Sequence, residues 1–282
     1  MPNDPILVIG ASGKTGSRVT ASLQKRGFDV RAVSRKSKIP FDWNDKGTWN
    51  KVLSGIRAVY IVHPGLGSSQ ASDQIHDFSL AAANAGIKKA VLASTPDDGS
   101  DFSEWMRTAE KHIVDSGLNL TSLRLRWFFQ NFSEDFLLPV VLSGELRLPA
   151  GTGKEAFIDA DDIADVAVAA LIDDCHNGRF YDLTGPRLLS FADIADEITR
   201  ATRQQLNYIA LTPEMFITEQ LAHNVPADWV YTLNTLYQNI AHAKLEKISG
   251  DVEAILGKPA RDFSDFVFQA AKDGVWENDK SV

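Results

Sequence analysis

The 282-residue chain predicts an α/β fold, a Rossmann doubly wound parallel sheet with helices on both faces and a smaller, mainly helical C-terminal lobe. Three observations carry that expectation. An apolar run meets a glycine-rich turn near the N-terminus, strand-like and helix-like segments alternate behind it, and helical patterning dominates from Pro213 onward.

The first element is Pro5-Ile6-Leu7-Val8-Ile9, apolar throughout as a parallel strand buried on both faces must be. Gly10-Ala11-Ser12-Gly13-Lys14-Thr15-Gly16 follows, with glycines at its first, fourth and seventh positions, and the stripe Val19, Leu23 then runs to Gly27 as a helix. Glycines let the backbone turn sharply and approach a pyrophosphate, whose charge the free amides of a helix N-terminus attract. Placed between strand and helix, the turn predicts dinucleotide binding, against the plainer reading of a βα turn without a ligand. A P-loop fails on spacing. Although Gly13-Lys14-Thr15 reads GKT, the first glycine of GxxxxGK[ST] would fall at Val8, inside the strand.

The second strand, Asp29-Val30-Arg31-Ala32-Val33, separates two cofactors. An NAD site places an acid at its far end, on the ribose 2′-hydroxyl, but the nearby acid, Asp29, sits at the wrong end. Ser34-Arg35-Lys36-Ser37-Lys38 stands there instead, and Arg35 with Lys36, Lys38 and the Ser34 hydroxyl suits a 2′-phosphate. NADP(H) is therefore expected in preference to NAD(H), with a solvated basic loop as the alternative.

Ala58–Val62, Lys89–Ala93 and Leu120–Leu125 read as the fourth, fifth and sixth strands. Helices over 69–85 and 102–116 end at Gly86 and Gly117. In the second half, Asp159-Ala160-Asp161-Asp162 caps a helix over 163–172, and Arg179–Leu183 reads as a strand ending at Gly185-Pro186. Ser190 caps a helix through Thr202, and Leu206–Leu211 is extended. The expected domains are an NADP-binding Rossmann domain over 1–155 and a C-terminal substrate-side lobe over 156–282, some of whose elements return to the sheet. That lobe is expected over the carboxyl edge of the strands, where open α/β sheets bind ligands.

Composition restricts the partners. A formal charge of −8 and a pI near 5.3 argue against nonspecific nucleic-acid or anionic-membrane binding. No apolar run has spanning length, and the first strand begins too early for a signal peptide. The lone Cys175 excludes an internal disulfide and a multi-cysteine metal site, which suits a cytoplasmic protein. A small-molecule substrate is expected, with a homo-oligomer or a regulatory protein partner left open.

The chain resembles the NmrA-like branch of the atypical short-chain dehydrogenase/reductase superfamily over nearly its whole length. The resemblance is carried by Gly10 to Gly16, Phe41-Asp42-Trp43-Asn44-Asp45 with Thr48-Trp49, Leu92-Ala93-Ser94, and Trp127-Phe128-Phe129-Gln130-Asn131. Ile158-Asp159-Ala160-Asp161-Asp162-Ile163-Ala164 and Leu183-Thr184-Gly185-Pro186 extend it. Within that branch the chain looks most similar to bacterial relatives of the ergot-alkaloid biosynthesis reductases, to which Leu256-Gly257-Lys258-Pro259-Ala260-Arg261-Asp262-Phe263 is also related.

The resemblance implies roles for individual positions. Gly10, Ser12, Gly13, Lys14, Thr15 and Gly16 would hold the pyrophosphate, and Ser34 with Arg35 the adenosine phosphate. Asp42 and Trp43, at the end of a third strand, would contact adenine; His63 and Pro64 would lie along the ribose. Ser94 and Thr95 would approach the nicotinamide, and Trp127, Phe128, Phe129 and Asn131 would wall the substrate cavity, with plain core packing as the rival reading of the aromatics.

One absence narrows the chemistry. Many members of the superfamily protonate a carbonyl oxygen with a Tyr whose pKa is lowered by a Lys four residues on. Here the residues four positions after Tyr60, Tyr181, Tyr208, Tyr231 and Tyr237 are Pro64, Gly185, Thr212, Thr235 and Ala241. The expected helix carries Trp105 to His112 instead, leaving Glu110 and His112 as weak acid candidates that read equally as a solvated helix face. An iminium ion, an enone or a quinone depends less on an acid than on orientation and exclusion of water. The expected activity is therefore hydride transfer from NADPH to a small, flat, electron-poor acceptor. The alternative is a non-catalytic redox sensor that binds NAD(P) and a regulator; the phenylalanine-rich stretch 128–136 favours a substrate cavity and hence the enzyme.

No metal site is expected. The six histidines show no HxxxH or HExxH spacing. Asp159, Asp161, Asp162 and Asp165 lack the glycine of a calcium loop and read as a solvated helix start, and no GxSxG elbow is present.

Overall fold

The structure, a computed structural model, describes residues 4–277. In chain order the elements are β1 (Ile6–Ile9), α1 (Lys14–Lys25), β2 (Val30–Val33), α2 (Trp49–Leu53), β3 (Ala58–Ile61), α3 (Ser69–Asn84), β4 (Lys89–Ser94), α4 (Asp101–Asp115) and β5 (Asn119–Leu125). Then come α5 (Leu138–Leu142), β6 (Glu145–Leu148), α6 (Ala160–Ile172), β7 (Phe180–Leu183), α7 (Phe191–Thr202), β8 (Asn207–Ala210), α8 (Pro213–Ala222), α9 (Ala227–Ala241), α10 (Asp251–Leu256) and α11 (Phe263–Lys272). These elements form two compact units, one from residues 4–125, 160–183 and 250–259, the other from 126–159, 184–249 and 260–277.

The first unit is built on a six-stranded sheet in the order β2-β1-β3-β4-β5-β7, parallel at every pairing. Every residue of β1, β3 and β4 is buried, as expected where helices cover both faces of a sheet. The strand order reverses between β1 and β3, which makes the carboxyl ends of these two strands the switch point at which open α/β sheets take their ligands. Helix starts follow local capping chemistry. Ser68 and Ser100 accept the amides of Ala71 and Ser103 at the first turns of α3 and α4. The expected glycine stops hold, with the Gly86 and Gly117 amides closing onto Ala83 and Val114.

The expected third strand at Asp42-Trp43 is absent. Those residues form a tight turn with an isolated Asp42–Asp45 bridge, in which Asp42 Oδ1 accepts the Asn44 amide. Phe41 and Trp43 reach the core from this turn and pack edge to face on Phe78, while the Trp49 indole donates to the Asp42 carbonyl at 3.0 Å. Aromatic burial is met by the turn without a ladder partner, so Ala58–Ile61, Lys89–Ser94 and Asn119–Leu125 are the third, fourth and fifth strands.

Helix α6 belongs to the same unit and packs beside α1. Nine of its thirteen residues are buried, which makes it a core helix and corrects the solvated reading of its acids. Asp162 is fully buried and Asp159 nearly so, whereas Asp161 stays exposed and accepts from Arg18 Nε at 2.9 Å.

The second unit has its own core, in which Phe132, Phe157, Phe191, Phe263 and Tyr237 interlock. The extended segment expected at 206–211 pairs in parallel with β6, a strand not expected from the sequence. Ser190 and Asp193 form a capping box at the start of α7. Arg126 and Glu155 form a buried ion pair at 3.4 Å, and Arg126 also donates to the Leu245 carbonyl at 2.9 Å. Among the described residues no helix is long and apolar enough to cross a membrane.

Candidate functional site

The glycine turn sits at the switch point of the sheet. Gly10 has φ +68°, a left-handed conformation that disfavours a side chain, and a Cβ there would meet Val62 Cγ1 at 2.5 Å, just past β3. Its carbonyl accepts the Gly13 amide at 2.9 Å, and the Ala11 amide binds the Val33 carbonyl at 3.1 Å. Gly13 precedes α1 without a side-chain cap, so the first amides of α1 gain no partner from it. Thr15 and Gly16 are buried, Ser12 and Gly13 exposed, and Lys14 lies between. This cradle of glycine backbone at an uncapped helix start fits a dinucleotide pyrophosphate.

Past the end of β2 the chain folds back on itself. The Ser37 hydroxyl donates to the carbonyls of Ser34 and Ile39, the Ser34 amide donates to Ser37 Oγ, and Phe41 N returns to Ser34 O. Arg35, Lys36 and Lys38 all project exposed from this loop.

At the end of β3 the polar groups form a chain. His63 Nδ1 accepts the Gly65 amide at 3.0 Å, so the ring proton resides on Nε2, which donates to Gln74 Oε1 at 2.8 Å. Gln74 donates in turn to Asn44 Oδ1 at 3.0 Å, and the Trp43 ring lies 4.6 Å from the imidazole. Burial pushes the His63 pKa below its ordinary value, outweighing the opposing effect of the Gln74 bond. The structure therefore brings together Asp42, Trp43 and His63 around Asn44 and Gln74, two residues that sequence reasoning missed. Pro64 beside them is exposed.

The carboxyl end of β4 holds a second polar cluster. Glu110 is buried on α4 and accepts from the Ser94 and Ser122 hydroxyls at 2.8 and 2.6 Å, from Arg107 Nη2 at 3.0 Å and from Arg124 Nη2 at 3.2 Å. Arg107 Nη2 also donates to Ser94 Oγ at 2.9 Å and to the Thr95 carbonyl at 2.5 Å. This corrects the solvated-face reading of Glu110, whose carboxylate anchors the four donors around it. A signal was available in the sequence: Glu110 falls in the stripe Ser103, Met106, Ile113 that buries one face of α4. His112, two residues on, points elsewhere and lies 3.3 Å from the Ser72 carbonyl, with its ring 4.5 Å from His76.

The aromatic run divides by burial. Phe129 is 1% exposed, with its ring 5.0 Å from Phe263, which makes it a core residue and corrects its placement on a cavity wall. Trp127 and Phe128 are half-buried, the first 5.0 Å from Tyr237 and the second bridged to Ile158, and Asn131 is buried. The Leu183-Thr184-Gly185-Pro186 motif has a packing cause: a Cβ on Gly185 would fall 1.9 Å from the Phe157 carbonyl oxygen.

Known proteins share this architecture and sequence. A sequence profile of the NmrA-like family matches residues 2–266. The Bacillus subtilis (strain 168) protein named uncharacterized oxidoreductase YesF is 30% identical over 98% of both chains. Agroclavine dehydrogenase of Claviceps fusiformis is 29% identical over 93% of this chain and 96% of its own. In structure, the NADPH-dependent quinone oxidoreductase QOR2 of Escherichia coli, solved with NADPH, superposes with a TM-score of 0.80 at 22% identity, over 94% of this chain and 99% of that one. The chain belongs to the NmrA-like family.

Proposed function

We propose that the protein is an NADPH-dependent oxidoreductase that reduces a small, flat, electron-poor acceptor, an iminium ion, an enone or a quinone, without a Tyr/Lys pair. The family, and relatives named as oxidoreductases and dehydrogenases, support an NAD(P)H-dependent oxidoreductase. The observation that carries the choice of NADPH is the exposed trio Arg35, Lys36 and Lys38 at the end of β2 beside a glycine cradle. A guanidinium takes a phosphate through two parallel N–H bonds, and an acid that would prefer the ribose hydroxyl is missing from that end of β2.

In this reading Gly10, Ser12, Gly13, Lys14, Thr15 and Gly16 hold the pyrophosphate, Ser34 and Arg35 the 2′-phosphate, Asp42 and Trp43 the adenine, and His63 and Pro64 the ribose. Ser94 and Thr95 border the nicotinamide, which supplies the hydride when bound. The protein's part is to orient the two reactants and exclude water.

Two measurements test the reading. Fluorescence titration gives the affinities for NADPH and NADH; equal affinities would remove the assignment of Arg35. Consumption of NADPH is then followed against a panel of an imine, an enone and a quinone. Tight binding without turnover of any of them would instead favour a redox sensor that reads the cofactor and passes the signal to a partner.

A further inference from the structure

Ser34 to Ser37 form a tight turn with Arg35 and Lys36 as its two central residues, closed by the Ser37 amide on the Ser34 carbonyl at 3.3 Å. Two serine side chains reinforce it. Ser34 Oγ accepts the Lys36 amide at 3.3 Å, and Ser37 Oγ reaches back to accept the Ser34 amide at 2.9 Å. The Ser37 hydroxyl proton is shared between the Ser34 carbonyl at 2.8 Å and the Ile39 carbonyl at 2.6 Å. One short side chain therefore holds both the N–H and the C=O of Ser34, and the chain two residues beyond itself as well.

The turn is also tied at both ends. Upstream, the Val33 carbonyl accepts the Ala11 amide of the glycine turn at 3.1 Å. Downstream, the Phe41 amide donates to the Ser34 carbonyl at 3.1 Å, and the Phe41 ring is buried 5.6 Å from that of Phe78. Arg35 and Lys36 thus project, exposed, from a backbone set in place between the glycine cradle and the aromatic core.

We propose that Ser37 is a specificity-determining positioning residue: its hydroxyl fixes the turn from which Arg35 and Lys36 take the 2′-phosphate, and so sets the preference for NADP(H) over NAD(H). This rests on the cofactor reading above. The Ser37 proton is committed to two carbonyls, so the residue offers a phosphate no donor and acts only through the turn. Ordering a loose loop at the moment of binding subtracts from affinity, whereas a turn already held by hydrogen bonds has met that cost in folding. Arg35 gains most from this. Its planar guanidinium reaches two phosphate oxygens in parallel from one orientation, while a lysine acts as a point charge from many. NADH carries a hydroxyl where NADPH carries the phosphate, so its affinity does not depend on how the basic turn is held.

Fluorescence titration of NADPH and NADH against wild type, S37A and S37T tests the assignment. S37A removes every bond of the hydroxyl and should weaken NADPH about fivefold, the loss expected when roughly one residue of backbone must be ordered on binding. NADH affinity and the melting temperature should stay close to wild type, which a general loosening of the protein would not allow. S37T keeps the hydroxyl and should keep the preference. In an R35A background S37A should cost less than it does in wild type, because a residue that acts through Arg35 has less to position there. A preference for NADPH that survives S37A, an equal weakening of both cofactors, or full additivity with R35A overturns the role of Ser37. A wild type that binds NADPH and NADH alike would instead sink the cofactor reading itself.

Discussion

A Cβ on Gly16 would lie 2.2 Å from the carbonyl oxygen of Gly10 and 2.7 Å from its carbon. The start of α1 is thus pressed against the turn that leads into it, and no rotamer relieves the contact because both partners are backbone. Gly16→Ala is expected to push α1 off the turn, lowering the melting temperature and removing measurable NADPH binding by titration. Gly13→Ala meets only the Gly10 oxygen, at 3.3 Å, and should bind NADPH more weakly while melting close to wild type. Equal behaviour of the two variants would mean that the spacing of the turn, and not its contact with α1, matters.

Arg35 is exposed, so its contribution to a bound phosphate is that of a charge-assisted contact discounted by solvent. Arg35→Ala should weaken NADPH binding roughly tenfold, about 1.4 kcal/mol, and leave NADH binding unchanged. Arg35→Glu should reverse the preference. Isothermal titration with the two cofactors separates a lost phosphate contact from a damaged site, which would weaken both.

His63 gives a pH dependence whose sign follows from its hydrogen bonds. Its pKa in the folded state is lowered from 6.5, chiefly by burial. The unfolded chain therefore binds the proton more readily, and the stability that His63 contributes is present above pH 6.5 and is lost as pH falls through the lower folded value. A proton on Nδ1 would also face the Gly65 N–H, which now donates to that atom. The melting temperature of wild type should fall between pH 7.5 and pH 5 more steeply than that of His63→Gln, and NADPH affinity should fall with it. Parallel curves for the two proteins would show that His63 does not titrate in this range.

Glu110 separates an anchor from an acid. If the carboxylate anchors Ser94, Ser122, Arg107 and Arg124, Glu110→Gln leaves two guanidinium groups short of a counter-charge. The expected loss is about 3 kcal/mol in chemical denaturation, in the range seen when one partner of a buried ion pair is removed. A proton donor would give the opposite pattern, with stability kept and one limb of the pH–rate profile gone.

How much of this was legible in the sequence depends on the range of the forces involved. The glycine turn, β1, β2, the glycine stops at Gly86 and Gly117 and the helix cap at Ser190 obey local rules, and a chain of local signals suffices to read them. The turn at Asp42-Trp43 misled because its aromatics are buried by Phe78, a residue distant in sequence, and not by a neighbouring strand. The clusters at His63 and Glu110 were only half visible. Gln74 and Asn44 reach His63 from α3 and from the turn at Asp42, while Ser122 and Arg124 are placed by the register of β5 on β4, where Ser94 pairs with Arg124. Phe129 and Trp127 look alike in the sequence, and only the packing of Phe263 and Tyr237 decides which of them is core.

Arg187 provides the last prediction, in the second unit. Its guanidinium donates twice to Asp262, at 2.7 Å for both bonds, and twice to Glu197, at 2.7 and 2.9 Å. It thereby ties α7 to the start of α11, where Asp262 also caps the Ser264 amide. The two arginine bonds, more than any other contact, hold the Asp262 carboxyl well below the ordinary carboxylate range. A depressed pKa means stability that is present above the unfolded value of about 3.9 and is lost as the solution is acidified past it. Arg187→Met should lower stability at pH 7 by about 1 kcal/mol, a small figure because the network is partly open to solvent. The cost is concentrated in leaving Asp262 and Glu197 close together without a cation. The acid limb of the melting curve is the sharper readout. Wild type should lose stability steeply below pH 4, and the variant, which has already lost the pairing, should lose less over the same interval. Salt should narrow the gap between the two proteins at neutral pH. A variant with an unchanged acid limb would show that Asp262 owes its ionisation to the helix cap and not to Arg187.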